Sequence, residues 1–92
     1  MAPLISVIIP VYQVEHYIAN CLKSVLNQTF RDFEVVLVDD GTRDGSAKIA
    51  QAILTDSDIE HRIITQDNRG LSAARNIGIK NSNGRWIVCV DS

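Results

Sequence analysis

Residues 34–46 read EVVLVDDGTRDGS, an apolar run that ends in two adjacent aspartates and a glycine-rich turn. The run that begins at Phe33 is rich in β-branched residues, which predicts a strand covered on both faces, as in a parallel sheet. Asp39 is the first polar residue after this run, and Asp40 follows it directly. Because adjacent like charges repel, the pair needs hydrogen-bond donors from the fold or from a ligand. The stretch therefore predicts a strand, residues 33–38, with a candidate site at its carboxyl end.

The same kind of apolar run recurs along the chain and alternates with helical spacing. Three further runs predict strands at residues 5–11, 62–65 and 85–90, the last finishing at Asp91. Between the strands, apolar residues recur at i, i+3, i+4 and i+7, which is typical of one helical face. These segments predict helices at residues 14–28, at 46–54 with Asp44 as the N-cap, and within 71–82.

Strands that alternate with helices predict successive βαβ units, and hence an α/β domain with an open parallel sheet. We expect a Rossmann-like sheet of strand order 3-2-1-4, with a ligand crevice between the carboxyl ends of the first and fourth strands. The polar residues that follow the strands should meet at this edge. They are Tyr12, Gln13, Asp39, Asp40, Asp67, Asn68, Arg69 and Asp91.

Composition and charge exclude several classes of partner. A net charge of −2 without a cluster of Lys and Arg argues against nucleic acid and against anionic membranes. The loop after the first strand, residues 10–17, contains no glycine, which argues against dinucleotide and P-loop phosphate sites. Cys21 and Cys89 have no metal-ligand spacing and are predicted to be buried and reduced, which favours a cytosolic setting. Trp86 is predicted to pack in the core.

Carboxylates at the sheet edge suit ligands that offer hydrogen-bond donors or a hard divalent cation. A nucleoside diphosphate would fit if its base and ribose faced Asp39 and Asp40. Its phosphates would share Mg²⁺ or Mn²⁺ with Asp91. The alternative is that Asp40 and Asp44 only satisfy loop amides and cap a helix.

Four motifs occur in the order found in a known family. They are SVIIPVY at 6–12, SVLNQTFRDFEVVLVDDGTRDGS at 24–46, NRGLSAARNIGI at 68–79 and NGRWIVCVDS at 83–92. Together they cover essentially the whole chain, which resembles the N-terminal, nucleotide-binding half of family 2 glycosyltransferases of the GT-A fold. Gln13 stands where the family often has Asn, and Thr42 where it often has Ser; both keep hydrogen-bonding capacity.

The resemblance implies an enzyme that transfers a sugar from a nucleotide-diphosphate donor, usually a UDP-sugar, to a saccharide or lipid-linked acceptor. Transfer would proceed with inversion and with Mg²⁺ or Mn²⁺ as cofactor. By position, the resemblance assigns seven residues to the donor site. It implies that the uracil pocket is lined by Pro10, Val11 and Tyr12, that Asp39 bonds the base, and that Asp40 supports the loop or reaches the nucleoside. It also implies that Arg75 contacts the nucleotide and that Asp91 is the first acid of the DxD motif, near ribose and metal.

The sequence stops at Ser92, the middle position of DxD. We therefore expect residues 1–92 to be the nucleotide-binding half of a GT-A domain, with the general base beyond them and no transfer by these residues alone. The full enzyme is expected in the cytoplasm, free or peripheral to the membrane. In residues 1–92 alone, the fourth strand is expected to expose an apolar edge that can pair with a second copy.

Two other functions stay open from the sequence. The first is a module that holds a nucleotide without catalysis. The second is a flavodoxin-like phospho-signalling domain with Asp67 as the phosphate acceptor, a reading in which the NRGLSAARN motif has no role.

Overall fold

The computed structural model describes residues 2–91 and shows seven alternating elements. In chain order they are β1 (Ile5–Val11), α1 (Ile18–Leu26), β2 (Phe33–Asp39), α2 (Ser46–Thr55), β3 (His61–Thr65), α3 (Leu71–Lys80) and β4 (Trp86–Cys89). Every predicted strand and helix is present, with ends that differ by a few residues.

The strands form one parallel sheet in the order β3-β2-β1-β4, as predicted. The register sets Val11 opposite Asp39, and Asp39 opposite Thr65. The carboxyl ends of the three neighbouring strands β3, β2 and β1 therefore lie level at one edge. The Val90 amide donates to the Ile8 carbonyl, so the chain continues along β1 after β4 ends.

The main core lies between the sheet and the pair α1 and α2. Its largest fully buried apolar side chains include Ile9, Ile18, Leu22, Leu37 and Leu54. The opposite face of the sheet is covered by α3, which approaches closely at Gly78. A Cβ atom there would lie 2.5 Å from Cγ2 of Ile8, so this contact requires glycine. The apolar strands thus have helices on both faces.

Helix starts differ from the predicted ones. The first helix begins at Ile18, because Val14 and the residues after it form a turn in which the Val14 carbonyl accepts the Tyr17 and Ile18 amides. At α2, Gly45 rather than Asp44 occupies the N-cap position. Asp44 still caps the helix from one residue earlier, since its Oδ1 accepts the Ser46 amide at 3.0 Å.

The predicted burial of Cys89 and the predicted packing role of Trp86 are wrong. Trp86 is 62% exposed, Val88 is 44% exposed and Cys89 is also exposed, because within residues 2–91 β4 packs extensively only against β1. Cys21 is half-buried rather than buried. The predicted apolar edge is therefore present. Within residues 2–91, none of the helices combines the length and the apolar character needed to span a membrane.

Candidate functional site

A cleft of about 430 Å³ opens at the carboxyl end of β1, beside the start of α3. Four separate segments of the chain contribute to it, so residues distant in sequence meet at one edge as predicted. The cleft is lined by Pro10, Tyr12, Val14, Asp40, Asn68, Gly70, Leu71, Ala74 and Asp91. Four of the predicted site residues are in this lining: Pro10, Tyr12, Asp40 and Asp91.

Asp39 and Asp40 lie on opposite faces of the sheet edge. Side chains alternate along a strand, and Val35 and Leu37 belong to the core beneath α1 and α2. Asp39 therefore points to that side, whereas Asp40 points to the α3 side and lines the cleft. Alternation explains how two adjacent carboxylates are tolerated, because each has its own set of donors.

The carboxylate of Asp40 holds the loop between β3 and α3. It is only 3% exposed and accepts the side-chain amide of Gln66 at 2.9 Å and that of Asn68 at 3.3 Å. It also accepts the backbone amides of Arg69 at 2.9 Å and Gly70 at 3.1 Å. Burial raises the pKa of Asp40, but these hydrogen bonds outweigh it and leave the pKa below the usual value. Asp40 therefore satisfies the amides of the loop before α3, and its role towards a nucleoside stays a prediction.

The cleft lining lacks three other predicted residues, which are Val11, Asp39 and Arg75. Val11 is fully buried behind it, so its side chain cannot contact a ligand in this conformation. Asp39 is half-buried, and its Oδ1 accepts the Thr42 amide at 3.0 Å. Its Oδ2 has no hydrogen-bond partner within residues 2–91. Asp39 thus shapes the turn after β2 and keeps one free acceptor.

Sequence reasoning missed how two loops at this edge are joined. The Gln13 amide donates to Thr42 Oγ1 at 2.8 Å, and Gln13 Oε1 accepts the amides of Arg43 at 2.8 Å and Asp44 at 3.2 Å. Gln13 has a φ of 54°, a left-handed conformation that is uncommon outside glycine. The two departures from the family pattern, Gln13 and Thr42, are therefore partners of each other. They fix the wall that carries Tyr12.

Asp44 completes this junction. Its Oδ1 accepts the Thr42 hydroxyl at 2.6 Å and the Ser46 amide, and its Oδ2 accepts the Glu15 amide at 3.1 Å. Although burial raises the pKa of Asp44, hydrogen bonds from Ser46 and Thr42 lower it far below the usual value. The carboxylate form of Asp44 is thus built into the fold, where it accepts loop amides and the Ser46 amide although Gly45 is the N-cap residue.

The lowered pKa values of Asp40 and Asp44 predict loss of stability in acid. Their stabilisation is fully present above the ordinary aspartate pKa of 3.8 and is lost as the pH falls through the folded values. Urea unfolding should give a similar free energy at about pH 7 and about pH 5, and a smaller one near pH 3. Asp40→Asn should flatten this decline, whereas Asp56→Asn, at the exposed end of α2, should keep it. A free energy unchanged down to about pH 3 would contradict the prediction.

Arg75 and Asp91 meet at the mouth of the cleft. Arg75 extends from α3, and its Nη2 donates to Asp91 Oδ1 at 3.0 Å and Oδ2 at 3.3 Å. Both side chains are accessible, at 36% and 66% exposure. The Nε of Arg75 is buried and has no acceptor in the described part of the chain. The Arg75 guanidinium therefore keeps one donor without a partner among the described residues, and the ion pair itself is accessible to solvent.

The described residues offer limited means to hold a metal. No three His, Cys, Asp or Glu side chains of residues 2–91 come together in a metal-binding group. Asp40 lines the cleft but has both oxygens engaged, which leaves Asp91 as the candidate ligand there. A single carboxylate fits a divalent cation that takes its other ligands from substrate phosphates and water. Ser92, the predicted middle position of DxD, lies outside the described residues.

The family model for Glycosyl transferase family 2 matches residues 6–92. The chain belongs to this family. Glycosyltransferase GlyA of Streptococcus pneumoniae is 47% identical over 90 residues, and the match covers 96% of this chain and 12% of that protein. An uncharacterized glycosyltransferase of Bacillus subtilis, EpsJ, is 48% identical over 91 residues, which cover 99% of this chain and 26% of EpsJ. The chain thus spans about a quarter or less of the length of these relatives.

Solved structures show the same fold. Residues 1–349 of Staphylococcus aureus TarS in complex with UDP match with a TM-score of 0.88 and 32% identity, over 97% of this chain and 27% of that one. Pyrobaculum calidifontis mannosyltransferase PcManGT, in complex with GDP-Man and Mn²⁺, matches with a TM-score of 0.89 and 27% identity, over 99% of this chain and 28% of that one. This chain of the family therefore has the sheet and helices of the GT-A architecture, and the phospho-signalling alternative is set aside.

Proposed function

We propose that this chain forms the donor-nucleotide site of a glycosyltransferase that uses a UDP-sugar. The observation that carries the proposal is the cleft, where Tyr12 just after β1, Asp40 just after β2 and Asp91 after β4 line one cavity. The TarS structure in complex with UDP supports a uridine nucleotide, and the PcManGT structure with GDP-Man supports a nucleotide sugar more generally.

In this proposal the nucleoside lies against the β1 wall of the cleft. Tyr12 is 49% exposed and offers an aromatic face on which a base can stack. A base N–H or ribose hydroxyl would reach Asp40 by replacing the 3.3 Å bond from Asn68, the longest of its four. The predicted bond from Asp39 to the base stays a prediction. Geometry favours Asp40, since it lines the cleft and Asp39 does not.

The diphosphate would lie at the mouth of the cleft. Asp91 would contribute one carboxylate to Mg²⁺ or Mn²⁺, and phosphate oxygens would complete the coordination. The cation, when bound, neutralises charge on the diphosphate leaving group. Arg75, released from Asp91, would then donate from its guanidinium to the phosphates, which planar bidentate donors suit well.

The remaining features of the reaction stay predictions from the family. These are inversion at the sugar, a saccharide or lipid-linked acceptor, a general base outside these 92 residues, inactivity of the 92 residues alone, and a cytoplasmic enzyme that is free or peripheral to the membrane. A nucleotide-binding module without catalysis would use the same cleft, so the first test concerns binding.

Calorimetric titration of the chain with UDP, GDP and ADP tests the proposal directly. We expect UDP to bind most tightly, and Mn²⁺ to strengthen binding. Asp40→Asn should lower the affinity for UDP more than Asp39→Asn does if the nucleoside lies in the cleft. If none of the three nucleotides binds with or without Mn²⁺, the proposed function is wrong.

We also propose that two copies pair through β4. Within residues 2–91 the outer edge of β4 has no partner strand, and the Trp86 and Val88 side chains are exposed beside it. Light scattering at high concentration should show a dimer, and Val88→Lys should shift it to monomer because a charge on an edge strand opposes pairing. A clean monomer at high concentration would contradict this prediction.

A further inference from the structure

A fully buried carboxylate lies at the end of the sheet opposite the cleft. Glu34 is the second residue of β2, and Ser6 lies directly opposite it on β1. The Ser6 hydroxyl donates to Glu34 Oε2 at 2.6 Å, and Arg62 from β3 donates to Oε1. Acidic residues are among those least often fully buried, so the complete burial of Glu34 beside Ser6 calls for an explanation.

The pair holds the turn that precedes β4. The Asn83 amide donates to Glu34 Oε2 at 2.7 Å, and the Gly84 amide donates to Ser6 Oγ at 2.7 Å. The turn also lies tight against β1, since a Cβ atom on Gly84 would be 2.5 Å from the Ser6 nitrogen and 2.7 Å from the Ile5 carbonyl carbon. The turn therefore fits at one position along β1.

Apart from its backbone bonds and the packing of Val90 just after it, little else fixes the position of β4. The strand has four residues, all exposed, and pairs only with β1. Register is strongly specified where one face of a strand is buried and weakly specified where neither face is. A slip by one residue would turn the side chains to the other face, and a slip by two would move the strand by about 7 Å. Burial alone does not prevent either slip.

We propose that Glu34 and Ser6 act as a register pin for β4 and thereby position Asp91 at the cleft. Asp91 lies two residues after Cys89, the last residue of β4, so its place beside Arg75 depends on the register that begins at Gly84. Glu34 and Ser6 are positioning residues, since they lie at the far end of the strands and do not line the cleft. The part that concerns metal binding by Asp91 rests on the proposed function.

The chemistry of the pin requires an ionised carboxylate. Three donors converge on Glu34: a hydroxyl, a backbone amide and a guanidinium. Burial raises the pKa of Glu34, but these hydrogen bonds and the charge of Arg62 outweigh it, and the pKa is lowered. In Glu34→Gln, the side-chain amide would face one of these donors and lose at least one of the bonds.

Hydrogen exchange measured by NMR tests the pin without reference to any ligand. In Glu34→Gln and Ser6→Ala, the Val90 amide, which donates to Ile8, should exchange at least about tenfold faster than in the wild type. The Val36 amide in the central strand should change far less. Ser6→Thr keeps the hydroxyl and should restore protection. The control is the wild type in enough urea to match the variants' free energy of unfolding.

A uniform loss of protection in β2 and β4, equal to that of the urea control, would overturn the proposal. The same variants should keep their metal-free UDP affinity and lose the increase that Mn²⁺ brings. If a variant loses protection from hydrogen exchange in β4 but keeps the Mn²⁺-dependent increase in UDP affinity, the claim that Glu34 and Ser6 position Asp91 is overturned. If the wild type binds no nucleotide, the proposed function fails, and the exchange experiment still decides on the pin. Ser6→Ala serves where Glu34→Gln does not fold.

Discussion

Replacing Asp40 by alanine should lower the free energy of unfolding by about 2 to 4 kcal/mol and abolish UDP binding. The carboxylate accepts two backbone amides and two side-chain amides, and alanine would leave all four without this acceptor. An unsatisfied buried donor costs about 1 to 3 kcal/mol, less where water can replace the acceptor. A domain of 92 residues is stable by only about 5 to 14 kcal/mol, so the loss is large.

Urea unfolding of three variants measures this effect. Asp40→Asn keeps an acceptor oxygen and should lose less than Asp40→Ala. The matched control is Asp58→Ala, which removes a surface ion pair with Arg31 and should cost under about 0.5 kcal/mol. If Asp40→Ala stays within about 0.5 kcal/mol of the wild type, the loop is not held by this carboxylate.

The second large effect concerns the metal. In the wild type, Mn²⁺ should strengthen UDP binding by at least about tenfold, which is 1.4 kcal/mol. Asp91→Asn keeps the shape and an acceptor for Arg75 but removes the negative charge, so this increase should disappear while metal-free UDP affinity stays. Calorimetric titration with and without Mn²⁺ measures both quantities.

Asp67→Asn is the control for this experiment. Asp67 is also an exposed acid after a strand, but it lies outside the lining of the cleft. The Asp67→Asn variant should keep the full increase in UDP affinity that Mn²⁺ brings. An equal loss in Asp67→Asn and Asp91→Asn would point to general charge attraction, and an increase retained in Asp91→Asn would show that Asp91 is not a ligand.

The sheet could be predicted from the sequence because its signals are local. Each buried strand is a short run of β-branched residues, and each helix between strands shows one apolar face. The level carboxyl ends follow from parallel pairing, which places Val11 beside Asp39. The meeting of distant polar residues was therefore predictable, and so was the crevice beside the first strand.

The face to which each acid points could also have been predicted. Val35, Leu37 and Asp39 alternate along one strand, so Asp39 belongs to the α1 and α2 side and Asp40 to the cleft. The four donors to Asp40 could not have been predicted, because they depend on a loop whose path uses positive φ at Gly41 and Gly70. Loop conformation of this kind leaves little trace in residue spacing.

The predictions that Cys89 is buried and that Trp86 packs failed for a different reason. Trp86 and Cys89 are residue types that usually lie inside, but burial depends on which elements cover a strand, and that is not a local property. Glu34 shows the reverse case. A charged residue within an apolar strand was a visible signal of a buried polar contact, and only the structure names its partners Ser6 and Asn83.

The central claim is that residues from separate segments bind one nucleotide at one edge of the sheet. Amide chemical-shift mapping of the chain during titration with UDP, metal-free and then with Mg²⁺, tests it most directly. We expect saturable shifts together at Tyr12, Asn68, Gly70 and Asp91, with the Asp91 shift strongest once Mg²⁺ is present. Shifts confined to a single segment, or shifts at β4 and its apolar edge instead, would contradict it.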